Sequence, residues 1–263
     1  MSARKIVVTS GKGGVGKTTT TANLGATLAR RGKRVILIDA DIGLRNLDLV
    51  LGLEKRIVFD LVEVAEGRCQ LRQALIKDKR FDSLSILPAA QTREKDAISQ
   101  DQFAAIVECA ADQADYVLID SPAGIETGFR NAVAGANEAI VVTTPEVSAI
   151  RDADRVVGKI GDAGKPIRLI VNRLRPEMVR SGDMLSVDDV CEVLSIELLG
   201  IVPDDEEVID TTNRGEPIVL NDGGRLRAIY EKIARRLEGE LVPFTNFDSP
   251  TFFGRLIGAL KAG

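Results

Sequence analysis

Short apolar runs alternate along the chain with longer segments of helical periodicity. Each run is nearly continuous, as expected for a strand that is buried on both of its faces. The runs comprise residues 6–8, 35–38, 84–87, 116–119, 139–144, 167–171 and 198–202. The alternation predicts an α/β fold in which a mostly parallel sheet carries helices on both faces.

The segments between the runs carry helix start and stop signals. Gly32 is suited to end the first helix, and Ser99 with Gln102 forms a capping-box pattern that starts another. Residues 68–79 receive no assignment because no periodicity dominates there. The predicted helices cover residues 18–31, 148–161 and 223–239, with shorter helical pieces within 46–66.

A glycine-rich loop joins the first apolar run to the first helix and fits G-x-x-x-x-G-K-[ST]. Its glycines allow backbone N–H groups to approach phosphate oxygens, and the following helix presents its positive end to the same anion. Lys17 is placed to reach the β- and γ-phosphates, and the Thr18 hydroxyl to coordinate Mg²⁺. The alternative, a turn that binds nothing, is disfavoured because every fixed position matches. The predicted nucleotide-binding residues of this loop are Gly11, Lys12, Gly13, Gly14, Val15, Gly16, Lys17, Thr18 and Thr19.

A second lysine, Lys12, lies early in the loop, where a neutral residue would serve the turn equally well. The stretch K-G-G-V-G-K-T resembles the deviant Walker A motif of the ParA/MinD family, which has the P-loop NTPase fold of the SIMIBI type. The resemblance implies an ATPase that uses ATP and Mg²⁺ and forms a homodimer enclosing two ATP molecules. In that family the early lysine reaches the partner subunit's nucleotide, where it offsets phosphate charge. The alternative is a solvated lysine on the loop rim.

Acidic residues end the second and fourth predicted strands, at the sheet edge where open α/β folds bind ligands. These segments resemble the switch I and Walker B motifs of the same family. The resemblance implies that Asp39 and Asp120 hold Mg²⁺ through water and that Asp41 orients or deprotonates the attacking water. The alternative for Asp41 is a helix N-cap. Gly124, in the region resembling switch II, would sense the γ-phosphate through its N–H. The implied catalytic set is Lys12, Lys17 and Asp41.

The base-binding residues are also implied by the resemblance. Asn172 ends the sixth predicted strand, and an amide side chain is suited to pair with the polar edge of adenine. Arg173 would pack beside the base. The loop after the last strand, containing Pro203 and Asp205, would close over the base from the other side.

Composition excludes several classes of protein. The formal net charge is −4, which does not favour a general or sequence-specific nucleic-acid binder. Three separated cysteines, with no C-x-x-C pair and no histidine, argue against a zinc site and fit a reducing cytoplasm. No apolar run approaches the length of a signal-peptide core or a transmembrane helix.

The sequence predicts an ATPase domain over residues 1–242, a linker over 243–250 and an amphipathic tail over 251–263. On a helix, the large apolar residues of the tail fall within an arc of about 140°, with basic residues outside it. This pattern is suited to an anionic membrane surface, and the alternative is a terminal helix that docks on the protein's own core. The predicted membrane residues are Phe252, Phe253, Arg255, Leu256, Ile257, Leu260 and Lys261.

The tail and the segment after Asp41 resemble the bacterial division-site regulators among the deviant Walker A ATPases. The nitrogenase iron protein is excluded because residues 125–137 contain no cysteine for its cluster. The resemblance implies a cytoplasmic protein that cycles to the inner face of the cell membrane, recruits a division inhibitor and is stimulated by an activator protein. The rival functions are a partition ATPase that acts on DNA and a nucleotide-gated scaffold without hydrolysis.

Overall fold

A computed structural model describes residues 2–94, 96–245 and 247. Over this part of the chain, eight strands form one sheet in the order β3-β4-β2-β5-β1-β6-β7-β8. The strands are β1 (Arg4–Thr9), β2 (Val35–Asp39), β3 (Ile76–Lys77), β4 (Leu84–Leu87), β5 (Tyr116–Asp120), β6 (Glu138–Thr143), β7 (Ile167–Leu174) and β8 (Glu197–Pro203). All neighbouring pairs are parallel except β3 with β4, which confirms the predicted mostly parallel sheet.

Helices cover both faces of the sheet, and short 3₁₀ turns lie at Glu54–Arg56 and Ile218–Leu220. The α-helices are α1 (Lys17–Arg30), α2 (Leu47–Leu51), α3 (Leu61–Ala65), α4 (Leu71–Ala74), α5 (Gln100–Ala111), α6 (Thr127–Gly135), α7 (Val147–Asp162), α8 (Pro176–Ser181), α9 (Val187–Leu194), α10 (Glu207–Asn213) and α11 (Arg225–Leu237). Throughout the ranges that the structure describes, no helix is long and apolar enough to cross a membrane.

The central strand shows why the apolar runs are continuous. Ile6 and Val8 point into a core that contains residues of α1 and α11, whereas Val7 points into the opposite core, with residues of α5, α6 and α7. Successive side chains of a strand alternate between faces, so a strand covered on both sides has no polar face. All three of these side chains are completely buried.

The predicted helices 18–31, 148–161 and 223–239 correspond to α1, α7 and α11 within two residues at each end. Ser99 caps α5 in the predicted capping box. The unassigned residues 68–79 contain α4 and the two-residue strand β3, which pairs antiparallel with β4 at the sheet edge. A strand of two residues has no period of its own, so only its partner reveals it.

The order of the central strands within the sheet brings the polar strand ends together. β2, β5 and β1 are neighbours, and in the β2–β5 pair Asp39 lies in register with Asp120. The phosphate loop follows β1 on the other side of β5, and Asn172 lies in β7 beyond β6. The carboxyl ends of parallel strands share one edge, so these residues surround one site.

Candidate functional site

The phosphate loop encloses a cavity of about 360 Å³ at this edge. Gly16 takes the N-cap position of α1 with φ of 92°, in the left-handed region that favours glycine. The start of α1 therefore directs its N–H groups toward the cavity, an arrangement that binds anions. The cavity is lined by Ser10, Lys12, Gly13, Gly14, Gly16, Lys17, Thr18 and Thr19 of the loop, and by Asn46, Leu49, Val50, Arg173 and Thr212.

The glycines of the loop have different structural roles. A Cβ on Gly11 would lie 2.1 Å from the carbonyl carbon of Asp152, so the loop packs directly on the backbone of α7. A Cβ on Gly16 would lie 2.2 Å from the Asn172 amide nitrogen. Gly14 has a φ of 78°, whereas a Cβ on Gly13 would meet nothing within 4 Å. Local motif matching cannot distinguish these roles, because the neighbours of Gly11 and Gly16 come from distant segments.

Lys17 lies at the junction between the loop and the end of β5. Its Nζ is 3.3 Å from Asp120 Oδ1, and both side chains are buried. The Thr21 hydroxyl lies 3.4 Å from the same oxygen and 3.0 Å from the Lys17 carbonyl, to which it makes the shorter hydrogen bond. Asp120 therefore neutralises the charge of Lys17 at a position where the lysine's ammonium group can also bind a phosphate.

Asp39 is completely buried and accepts three backbone hydrogen bonds from the segment that follows it. The donors are the N–H groups of Asp41, at 3.0 Å, and of Asn46 and Leu47, both at 3.1 Å. Burial, and next the nearby Asp120 carboxylate, raise the pKa of Asp39 to about 7. The hydrogen bonds hold residues 41–47 at the carboxyl end of β2, so Asp39 positions this segment.

The alternative reading of Asp41 as a helix N-cap is wrong. The N-cap of α2 is Asn46, and the carbonyl of Asp41 instead accepts hydrogen bonds from Leu44 and Arg45 in a turn. Asp41 is partly buried and lies two residues after the end of β2. Asn46 was missed as a site residue, although an asparagine before an apolar run is a helix-start signal.

The candidate metal ligands fit a Mg²⁺ ion that is also bound by phosphate and water, rather than an ion that is coordinated by protein ligands alone. Within the described ranges, no group of three or more His, Cys, Asp or Glu side chains forms a metal cluster. Two carboxylates, Asp39 and Asp120, are in register at the ends of neighbouring strands, and Lys17 of the loop contacts Asp120 while Thr18 lines the loop cavity. Mg²⁺ commonly takes one or two carboxylates and keeps several waters, and its charge would relieve the repulsion that raises the pKa of Asp39.

The predicted phosphate sensor, Gly124, has a φ of 89°. Its N–H donates to the carbonyl of Ser10 at 3.0 Å, which ties the segment after β5 to the first residue of the phosphate loop. Ser10 was not among the predicted site residues. Since main-chain pairing of this kind depends on the approach of two loops, no side-chain pattern reveals it.

The four predicted base-binding residues line one cavity of about 320 Å³ beside the phosphate loop. Asn172 is buried there, and its amide donates to the carbonyl of Val15 at 2.7 Å. Arg173 is exposed and takes a φ of 55°, which is uncommon for a residue other than glycine. Pro203 and Asp205 also line this cavity.

Residues outside the predicted set complete this second cavity. The buried Tyr230 of α11 lines it, and burial raises the pKa of its phenol to about 12. Arg175 donates through Nε to Asp204 Oδ2 at 2.7 Å on the rim. The predicted membrane residues of the tail, 252–261, lie outside the described residues.

Comparisons with known proteins agree with this geometry. The CobQ/CobB/MinD/ParA nucleotide-binding domain model matches residues 6–218. The septum site-determining protein MinD of Synechocystis is 60% identical over 93% of this chain and 92% of its own. MinD of Bacillus subtilis is 57% identical, with 90% of each chain covered.

The chain belongs to the MinD family.

Solved MinD structures share its fold. The Aquifex aeolicus MinC:MinD complex matches with a TM-score of 0.86 and 51% identity, covering 93% of this chain and 99% of that one. Pyrococcus horikoshii MinD, solved with Mg-ADP, matches with a TM-score of 0.82 and 31% identity, covering 90% and 96%. A ParA family ATPase from Chlorobium tepidum, 22% identical with a TM-score of 0.76, shares the fold alone. The predicted membership of the deviant Walker A ATPases, and of their division-site branch, is confirmed.

Proposed function

We propose that this MinD-family chain is an ATP-dependent, dimerising membrane switch that positions the division site. The observation that carries the proposal is the meeting of a complete phosphate loop with the paired carboxylates of β2 and β5 at one sheet edge. The Aquifex complex of MinC with MinD supports a MinC-like division inhibitor as a partner. A MinE-like activator is proposed from the family resemblance.

In this proposal, each part of the site has one task in ATP hydrolysis. Loop N–H groups and Lys17 would hold the phosphates, while Thr18, and Asp39 and Asp120 through water, would hold Mg²⁺. The cation supplies charge neutralisation on the phosphates when it is bound. Asp41 orients or deprotonates the attacking water, supported by its place two residues after β2, at the start of the segment that Asp39 fixes.

Lys12 is proposed to act across the dimer interface. It is exposed on the loop, and its Nζ lies 3.4 Å from the Ser148 hydroxyl in the first turn of α7. One neutral hydrogen bond of this length holds an exposed ammonium group weakly. The lysine is therefore available to a phosphate of the nucleotide in a second subunit, where its charge stabilises the closed dimer.

The base and domain assignments belong to the same proposal. Asn172, Arg173, Pro203 and Asp205 would receive adenine in the cavity that they line together. Residues 1–242 would form the ATPase domain, 243–250 the linker and 251–263 the membrane-binding tail. One tail buries too few side chains for stable anchoring, whereas two tails on one dimer act with high effective concentration. ATP would thus control membrane residence by controlling dimerisation, and hydrolysis would return the protein to the cytoplasm.

Sedimentation with vesicles of phosphatidylcholine and phosphatidylglycerol tests this function. We expect the parent to pellet with ATP and to stay in solution with ADP. Leu256→Glu places a carboxylate within the apolar arc, so it should abolish ATP-dependent pelleting while ATP binding persists. Val193→Glu on α9, where the valine is already 57% exposed, is the matched control and should pellet like the parent.

Two outcomes would contradict the proposal. Equal pelleting of the parent and Leu256→Glu would mean that the tail does not mediate membrane binding. Hydrolysis that is stimulated by DNA and unaffected by vesicles would instead favour a partition ATPase.

A further inference from the structure

The chain reverses direction after α11 and runs back along the helix. Gly239, with a φ of 92°, lies in the turn. Arg236 then donates from Nε to the carbonyl of Val242 and from Nη2 to that of Pro243, both at 2.8 Å. Its guanidinium lies 4.0 Å from the centre of the Phe244 ring. We call residues 242–245 and 247 the strap.

Two further cations, nearer the N-terminal end of α11, also contact the strap. Lys232 Nζ donates to the Thr245 hydroxyl at 3.1 Å, and the Arg225 guanidinium lies 5.2 Å from the centre of the Phe247 ring. Phe247 is partly buried and packs against the core on the α1 and α11 side of the sheet. Later strap residues therefore contact earlier helix residues, which makes the strap antiparallel to α11.

Helix geometry accounts for this arrangement. Arg225, Lys232 and Arg236 are spaced so that they fall within about 40° of one another around the helix, as one stripe. Eleven helical residues rise about 16 Å. The five steps from 242 to 247 also span about 16 Å when extended, so strap and stripe match in length. Among the residues with assigned structure, these three cations make no ion pair.

The strap connects opposite edges of the molecule. The C-terminal end of α11 lies at the edge where strands begin, since Glu238 pairs with Lys33 and the Leu237 carbonyl accepts from Arg4 of β1. Tyr230, in the middle of α11, lines the base cavity at the other edge. Phe247, beside Arg225, therefore lies toward the edge that carries the nucleotide site.

We propose that the strap is a positioning device, which brings the C-terminal tail to the nucleotide edge of the subunit instead of releasing it where α11 ends. This inference rests on the proposed membrane function of the tail. In a dimer that closes over its nucleotides, both tails would then start beside the interface and engage one anionic membrane together. The linker predicted over 243–250 thus begins with residues that are docked on the domain.

A distance measurement tests the strap without a membrane. Nitroxide labels are placed at Ser249→Cys and at either Asp222→Cys or Glu240→Cys, with the three native cysteines replaced by serine. Asp222 and Glu240 flank the two ends of α11. We expect the distance from 249 to 222 to be shorter than that from 249 to 240 by about 10 Å or more, given a helix of about 20 Å. A shorter distance to 240 would overturn the proposal.

The functional test releases the strap with Phe244→Ala and Phe247→Ala together. Neither side chain lines the phosphate-loop cavity or the base cavity, so hydrolysis without vesicles should stay at the parental rate. Release lengthens the tether before residue 251 from about three to about eight residues. Effective concentration falls as about the −3/2 power of tether length, so ATP-dependent vesicle affinity should fall at least about fourfold.

Arg235→Gln is the matched control, because Arg235 lies beside Arg236 on α11 but pairs with Glu240 and not with the strap. It should retain parental vesicle affinity and the parental 249–222 distance. Arg236→Gln provides a second releasing variant, and it should broaden the 249–222 distance distribution as the double alanine variant does.

The two proposals fail in different ways. Released variants that keep parental vesicle affinity would overturn the role of the strap while leaving the membrane function intact. A parent that never binds vesicles would overturn the membrane function and, with it, the strap's role in presenting the tail, even if the measured distances showed the strap docked.

Discussion

Gly11 and Gly13 lie two residues apart in the phosphate loop, and the structure predicts opposite responses to alanine. A Cβ on Gly11 would lie 2.1 Å from the carbonyl carbon of Asp152, 2.2 Å from its oxygen and 2.5 Å from the nitrogen of Ala153. Carbon contacts are normally about 3.5–4.0 Å, so the loop and α7 must separate by about 1.4 Å or more. The obstacle is backbone, which cannot rotate away as a side chain can.

The position of α7 determines the size of the effect. Ile150, Ala153 and Val156 fix the helix by packing into the core on the face of the sheet that it covers. Overpacking of a core typically costs about 1–3 kcal/mol, and a backbone obstacle places Gly11→Ala at the upper end. For domains of about this size, each kcal/mol lowers Tm by about 2–4 °C, so we expect a decrease of about 6–12 °C.

Gly13→Ala is the matched control in the same loop. A Cβ there meets nothing within 4 Å, and its backbone lies outside the left-handed region. Its free energy of unfolding should change by less than about 1 kcal/mol. Thermal unfolding followed by circular dichroism, without nucleotide or Mg²⁺, makes the comparison independent of ligand binding. Equal Tm values for the two variants would refute the described contact between the loop and α7.

Further predictions concern the chemistry of the site. Lys17→Ala should abolish stable ATP binding in a fluorescent-nucleotide titration, whereas Lys12→Ala should retain much of it and lose ATP-dependent dimerisation in size-exclusion chromatography. A Lys12→Ala variant that dimerises like the parent would refute a role across the interface. Asp41→Ala should bind ATP and dimerise but hydrolyse it about 10²–10⁴-fold more slowly in a phosphate-release assay, and near-parental turnover would assign the base to another residue. The pKa of Asp39 is raised to about 7, above its unfolded value of about 3.9, so its stabilising contribution is complete below about pH 4 and is lost as pH rises through 7. The Tm of the Mg²⁺-free parent minus that of Asp39→Asn should therefore fall from pH 4 to 8, and a constant difference would show that Asp39 titrates normally.

The strap shows how a sequence can predict a segment's role and miss its placement. Residues 243–250 have the proline content and polarity of a linker. The spacing of Arg225, Lys232 and Arg236 already placed three cations on one helical stripe, but nothing local indicates what they contact. Their partners are carbonyls, a hydroxyl and aromatic rings of a returning segment. Only the direction of the chain after Gly239 brings the two together.

The sequence by itself determined the fold class, the phosphate loop and the acidic strand ends. These features are encoded over a few neighbouring residues: a buried strand needs a continuous apolar run, and a phosphate-binding turn needs glycines followed by lysine and threonine. Asp39 and Asp120 were identified for the same reason, since each ends the apolar run of its own strand.

The tertiary structure decided which residues are constrained by segments that are distant in the sequence. Gly11 must be small because of α7, and Gly52 because the Gly215 carbonyl would lie 2.7 Å from an added Cβ. Asp39 acquires its raised pKa from burial and from a carboxylate on the neighbouring strand. Such constraints arise between segments far apart in the chain, where close packing, a low dielectric and chain direction act together, and no local pattern of residue types records them.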